Sequence, residues 1–326
     1  MELLNKLTQA YGVSGRENEI CALIEREAKK YCDEVYTDTM GNLIAHKKGG
    51  GKKLMFAAHM DEIGIIATFI DEKGFIRFRN IGGLYVRFLV NRRVRFENGT
   101  VGVIGSEEAE FNKKPSLDKL FIDIGAKNRE EAEKSVSVGD TAVFMGDMYA
   151  NDSIVVSKAL DNRAGCYMLI KAMQNIKKSE NDLYFVFTTQ EEVGLRGAKA
   201  ATFAINPDYA IAVDVTDTGD TPSSPVMAVN MGSGAAVKIM DHSVICDADV
   251  RIKIIETAKK HNLPYQLEIM TDGGTDAGAI HLTRSGIKTG GISLPTRYIH
   301  SPSETASVKD LHACCDLVAA VAEEKW

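Results

Sequence analysis

The chain has 326 residues, of which 44% are hydrophobic and 26% charged, with a formal net charge of −6. These fractions exclude a disordered chain, and the length exceeds what one core usually fills, so two domains are expected. The acidic balance argues against nucleic acid as the main partner, and no apolar run reaches the ~20 residues that a membrane-spanning helix needs.

Helical patterning covers residues 2–32, interrupted at Gly12-Val-Ser-Gly15. Leu54-Met-Phe-Ala-Ala58 is a strongly apolar run that leads into His59-Met60-Asp61. The style then changes. Residues 65–70, 75–78, 94–96, 101–104, 120–124 and 142–144 read as short strands, separated by turn signals such as Asp71-Glu-Lys-Gly74 and Glu97-Asn-Gly99. Short strands at this spacing indicate a small β barrel or sandwich. From about residue 158, helices and apolar strands alternate. Asp161 opens a helical pattern, Leu183-Tyr-Phe-Val-Phe-Thr-Thr189 leads into Gln190-Glu191-Glu192, and Tyr209-Ala-Ile-Ala-Val213 leads into Asp214. Runs this apolar read as buried strands of a parallel sheet. The expected organisation is an α/β domain formed by residues 1–64 and 154–326, split by an inserted β domain at 65–153. Six cysteines (Cys21, Cys32, Cys166, Cys246, Cys314, Cys315) form no CxxC pair and no dense disulfide pattern, the usage of a reduced, cytoplasmic protein. Residues 1–6 lack a basic region followed by an apolar core, so no secretory leader is expected.

In open α/β sheets the ligand crevice lies at the carboxyl ends of the strands. His59, Asp161, Glu191, Glu192, Asp214 and His300 are metal-type ligands, most of them just after an apolar run. Singly, each has a plainer explanation. His59 with Asp61 could be a packed histidine and its partner, Asp161 a helix N-cap, the two glutamates a solvated turn, and Asp214 and His300 loop residues. The remaining histidines (His46, His242, His261, His281, His312) have no comparable setting and read as structural or surface residues. The set is more specific than its members. Two ions sharing one carboxylate, each completed by one histidine and one acid, need two histidines and three acids. His59, Asp161, Asp214, Glu192 and His300 supply that count. Glu191 is left beside them as a candidate general base.

Tyr11-Gly-Val-Ser-Gly-Arg-Glu17, Asp38-Thr-Met-Gly-Asn-Leu43, Ala58-His-Met-Asp-Glu-Ile-Gly64, Ala159-Leu-Asp-Asn-Arg-Ala-Gly165, Gln190-Glu-Glu-Val-Gly-Leu-Arg-Gly-Ala198, Gly273-Gly-Thr-Asp-Ala-Gly-Ala279 and Arg297-Tyr-Ile-His-Ser-Pro-Ser-Glu304 span nearly the whole chain. In these motifs it resembles the tetrahedral-assembly dinuclear metallo-aminopeptidases, which include glutamyl, lysyl and leucyl aminopeptidases and proteins labelled cellulase M. The resemblance implies a mixed sheet flanked by helices, and two divalent ions per subunit, zinc first, cobalt or manganese otherwise. By it, His59, Asp161 and Asp214 hold one ion and Asp161, Glu192 and His300 the other. Asp161 bridges, Glu191 is the base, Asp61 orients His59, and the Asp161–Asn162 peptide is cis. It further implies short peptide substrates with a free α-amine, and a homo-oligomer, a tetrahedral dodecamer built from dimers. The stretch Leu84-Tyr-Val-Arg-Phe-Leu-Val-Asn-Arg-Arg-Val94 departs from the family pattern, which has an acid and a further glycine there. A glycoside hydrolase, a related dinuclear deacylase or carboxypeptidase, and a non-catalytic scaffold are the alternatives. The first needs no metal pair, the second would accept blocked peptides, and the third has no use for Glu191.

Overall fold

A computed structural model describes residues 1–107, 116–222, 224 and 226–326. Lys53–His59, Asp182–Thr188, Tyr209–Thr216 and Lys288–Arg297 lie parallel at the centre of an 11-stranded sheet. Helices cover both faces, so these strands are apolar at almost every position rather than at alternate ones. Leu54, Phe56 and Ala58 enter a core shared with Leu4, Ile24, Leu169 and Leu317 of the helices Glu2–Gln9, Asn18–Ala28, Leu160–Asn175 and Val308–Glu323. Met55 and Ala57, between them in sequence, enter a second core with Ala198 and Ile205 of helix Arg196–Ile205. This is the period-2 alternation of a strand.

The sheet is mixed. Leu43–Lys47 pairs antiparallel with Asp182–Thr188, and Glu34–Thr37 adds antiparallel outside it. At the other side Glu304–Ser307, Ile154–Ser157 and Tyr149–Ala150 continue antiparallel, while Ala235–Met240 pairs with Lys288–Arg297 and carries Tyr265–Ile269. Two strand ends differ from the sequence reading. Tyr209–Thr216 runs past Asp214 rather than stopping before it, and Asp182–Thr188 ends one residue before the expected Thr189.

A second unit is a closed six-stranded barrel built from Gly64–Ile70, Ile76–Ile81, Arg93–Phe96, Val101–Ser106, Leu120–Asp123 and Thr141–Phe144. Ile65, Phe78, Val94, Phe96, Ile104 and Ile122 fill it, while Val101 and Val103 alternate outward. Closure removes the unpaired sheet edges that would otherwise invite aggregation. The barrel meets the larger unit through Tyr11, Val13, Val143 and Ile81. At the entry to its first strand, Gly64 admits no side chain. A Cβ there would lie 2.5 Å from Val13 Cγ2 and 2.7 Å from the Ala142 carbonyl oxygen.

A buried ion set ties the two units together next to this junction. Glu62 accepts from Lys158 Nζ at 2.5 Å and from Arg163 Nη2 at 3.3 Å, and none of the three side chains is more than 5% exposed. The Arg163 guanidinium also donates to the carbonyls of Leu7, Ala10 and Gly12, clasping the N-terminal segment to helix Leu160–Asn175. Removing one partner of such a set leaves uncompensated buried charge. Glu62→Gln keeps the shape but strands two cations, and we expect a loss of about 3–5 kcal/mol. The check is the urea unfolding midpoint against wild type; a variant as stable as wild type would disprove the role.

Candidate functional site

His59 is the last residue of the strand Lys53–His59, which aims its ring out of the sheet's carboxyl end. Its Nε2 lies 3.0 Å from Asp161 Oδ1 and 3.8 Å from both Glu191 Oε2 and Asp214 Oδ1. Asp161 stands at the kinked start of helix Leu160–Asn175, its backbone outside helical geometry and its peptide to Asn162 cis. Asn162 in turn donates from Nδ2 to the Val213 carbonyl at 2.9 Å, fastening that start to the neighbouring strand. Asp161 Oδ2 faces the other way, 3.3 Å from His300 Nε2, which is also 3.2 Å from Glu192 Oε2. One carboxylate therefore touches both imidazoles, one oxygen to each.

Two sets of ligand atoms follow, each lying within 4.8 Å of one another: His59, Asp161 and Asp214, and then Asp161, Glu192 and His300. Glu191 belongs to neither. It shares the cavity of about 480 Å³ into which both sets open. His242, which sequence reading leaves as a structural or surface residue, lines this cavity as well.

Asp61 departs from its expected geometry. The nearest oxygen to His59 Nδ1 is the Asp61 carbonyl at 3.2 Å, with the carboxylate at 3.6 Å. The carboxylate mainly accepts from the backbone N–H of Glu191 and of Glu192, at 3.0 and 3.2 Å, and from Ser14 Oγ at 2.6 Å. Glu17 extends the pattern by accepting from Gln190 N at 3.2 Å and Gly15 N at 2.7 Å. Two carboxylates from distant segments thus hold three successive amides of the turn that carries Glu191 and Glu192. Glu304 does the same for the opposite side. Its Oε2 accepts from Asp161 N and its Oε1 from His300 N, both at 2.9 Å. Sequence reading assigned no role to Ser14, Glu17 or Glu304. Their only signal was membership of a quoted motif, because a side chain that binds a remote backbone amide leaves no local periodicity.

Electrostatics differ from acid to acid: burial raises Glu17 to about 7 and Glu304 well above the usual range, whereas at Asp161 burial is outweighed by His300 and His59, which lower it. Burial alone would raise Asp61, but His59, Ser14 and the Glu191 amide outweigh it and lower its pKa. Burial pushes Glu191 well above the usual carboxylate range against the opposing pull of His59, with Asp214, Asp276 and Glu192 adding to the rise. Asp214 rises well above that range from burial first and then from Asp161. Burial would lower His300, yet Glu192 and Asp161 outweigh it and push it up to about 12. The inner acids are short of positive charge. Among the described residues, Glu192 Oε1 is buried without a hydrogen-bond partner. Two imidazoles and three carboxylates, one shared, are donor chemistry suited to zinc and related divalent ions, which would supply the missing charge.

Comparison with known proteins places the chain in a family. The family model described as M42 glutamyl aminopeptidase matches residues 41–317. An Acetivibrio thermocellus protein, provisionally named an aminopeptidase, is 55% identical over 318 residues, 97% of this chain and 96% of that one. The lysyl aminopeptidase of Pyrococcus furiosus is 35% identical over 337 residues, covering 99% and 96%. The TET1 peptidase of Pyrococcus horikoshii, described as assembling into a tetrahedron or a large octahedral shell, superposes with a TM-score of 0.90 at 36% identity, covering 99% of each chain. On this match of sequence and fold along its whole length, the chain belongs to the M42 glutamyl aminopeptidase family, hydrolases that act on peptides.

Proposed function

We propose that the protein is a dinuclear metal-dependent aminopeptidase that removes N-terminal residues from short peptides. The observation that carries this reading is the Asp161 carboxylate, 3.0 Å from one imidazole and 3.3 Å from the other, with Glu191 outside both ligand sets. His59, Asp161 and Asp214 would hold one divalent ion and Asp161, Glu192 and His300 the second; zinc fits first, with cobalt or manganese as the other choices. Bound there, the pair would supply Lewis acidity to the scissile carbonyl and acidify water. Glu191 then takes the proton of the attacking water and returns it to the leaving amine, the work of a general base that becomes a general acid. Its place in the shared cavity, outside both ligand sets, leaves its carboxylate free for that exchange. Asp61, through the Glu191 and Glu192 amides, keeps base and ligand in register. Six free thiols, four of them buried, support a reducing compartment, the cytoplasm. Among the described residues, no helix is long and apolar enough to cross a membrane.

Chelation tests the metal requirement directly. Stripped protein should lose cleavage of peptides with a free α-amine and regain it with zinc, cobalt or manganese. Full turnover by protein shown to be metal-free by elemental analysis would end the dinuclear reading.

The adjacent glutamates separate by substitution. Glu191→Gln should keep both ions and lose ~10²–10⁴-fold in turnover, the contribution of a general base. Glu192→Gln should weaken metal affinity and make activity depend on added metal. Metal stoichiometry by mass spectrometry and turnover across a metal titration read both, and the reverse pattern would exchange the two roles.

Assembly is the third expectation. The TET1 relative can assemble into a tetrahedron or a large octahedral shell, and we propose a tetrahedral dodecamer built from dimers here, with the inserted β domain at 65–153 supplying much of the contact. Light scattering at micromolar concentration in metal-replete buffer should give a dodecamer; a monomer would contradict it.

A further inference from the structure

The two candidate ligand sets are held in different ways. In the first set, His59 and Asp214 lie within the strands Lys53–His59 and Tyr209–Thr216, so the ladder of the central sheet fixes their backbones. In the second set no ligand lies in a strand. Asp161 stands at the kinked helix start, Glu192 in the turn after Asp182–Thr188, and His300 in the turn between Lys288–Arg297 and Glu304–Ser307. For all three the backbone N–H goes to a buried carboxylate instead. Asp61 accepts from Glu192 N at 3.2 Å, and Glu304 accepts from Asp161 N and from His300 N, both at 2.9 Å.

Glu304 is 2% exposed and opens a strand of its own, where it pairs with Ser157. It therefore carries the order of the sheet across to two ligands that the sheet does not reach. His300 needs that hold. Its φ of +61° is a left-handed conformation, which costs a residue with a side chain energy and persists only where the surroundings enforce it. Asp161 is less dependent, because Asn162 ties the same helix start to the Val213 carbonyl. We infer that Glu304 is a positioning residue for the Asp161, Glu192 and His300 site, and that an ion there depends on it while an ion at His59, Asp161 and Asp214 does not. This rests on the dinuclear reading above and adds to it an unequal dependence of the two sites on one side chain.

Two substitutions test it. Glu304→Gln keeps the volume, but its terminal NH2 must face one of the two N–H groups, donor against donor. Glu304→Asp keeps the charge and both acceptor oxygens on a shorter stem, which draws them back from the amides. Metal-free, full-length protein is titrated with cobalt and followed by visible absorption and calorimetry. Wild type should take up two ions per chain. Both variants should keep one affinity unchanged and bind the other ion about 10–100-fold more weakly, the usual cost of losing a group that orients a ligand. The spectrum of each singly loaded variant should match that of Glu192→Gln, which lacks a ligand of the second set, and differ from that of Asp214→Asn, which lacks one of the first. Equal weakening of both ions, or weakening of neither, overturns the inference while the dinuclear reading stands. So does full recovery in Glu304→Asp, which would make charge rather than position the cause. Wild type that takes up fewer than two cobalt ions overturns the dinuclear reading and the inference with it.

Discussion

Burial of acid groups is the constraint around which the carboxyl end of the sheet is organised. Ionised carboxylates removed from water cost several kcal/mol each unless cations or donors compensate. The protein solves this in two ways. Asp61, Glu17 and Glu304 each accept from two backbone amides, at least one of them on a remote segment. Asp161, Glu191, Glu192 and Asp214 gather around two imidazoles that are too few to neutralise them. The outer carboxylates therefore fix where the inner ones stand, and the inner ones are left with unsatisfied affinity for positive charge. A metal centre needs both properties, since its ligands must be held in place before the ion arrives and must not be spent on one another.

The same arrangement binds the barrel to the chemistry. The turn after its strand Ile76–Ile81 brings Gly82 and Gly83 onto the ligands themselves. A Cβ on Gly82 would lie 3.2 Å from Glu192 Oε2 and 2.8 Å from Ile63 Cγ2, and one on Gly83 would lie 3.1 Å from His300 Nδ1. Gly82 also takes φ of +77°, a conformation that favours glycine. Any shift of the barrel relative to the sheet would press on the Glu192 and His300 side chains. The Glu62, Lys158 and Arg163 set opposes such a shift, because it crosses from the segment leading into the barrel to helix Leu160–Asn175, which carries Asp161. Held at both places, the barrel acts as a fixed wall of the site.

Much of this was legible in the sequence, and the parts that were not share a cause. The apolar runs before His59 and Asp214 gave the central strands, because a strand buried on both faces has no polar positions to break the run. The change to short strands after residue 65 gave the barrel. Pairing direction was less accessible. Leu43–Lys47 is buried beside Asp182–Thr188 much as a parallel neighbour would be, yet it runs antiparallel, and side-chain pattern carries no sign of chain direction. Asp214 was read as lying past its strand because a charged residue normally ends an apolar run; here the strand continues to Thr216, since the site receives the acid. The amide-binding roles of Glu17, Asp61 and Glu304 were not accessible at all. Each depends on a contact between segments far apart in the chain, and composition and spacing describe only neighbours.

The far wall of the cavity repeats the device used at its floor. Lys238 is fully buried, pairs with Glu268, and lies 3.4 Å from Asp241. Asp241 accepts from the amides of Ser243 and Val244 and from the hydroxyls of Ser243 and Thr275. One buried ion set thereby fastens both segments that border the cavity on that side, at 241–244 and at 275. Floor and wall are alike in that acids are tied to amides, hydroxyls or cations.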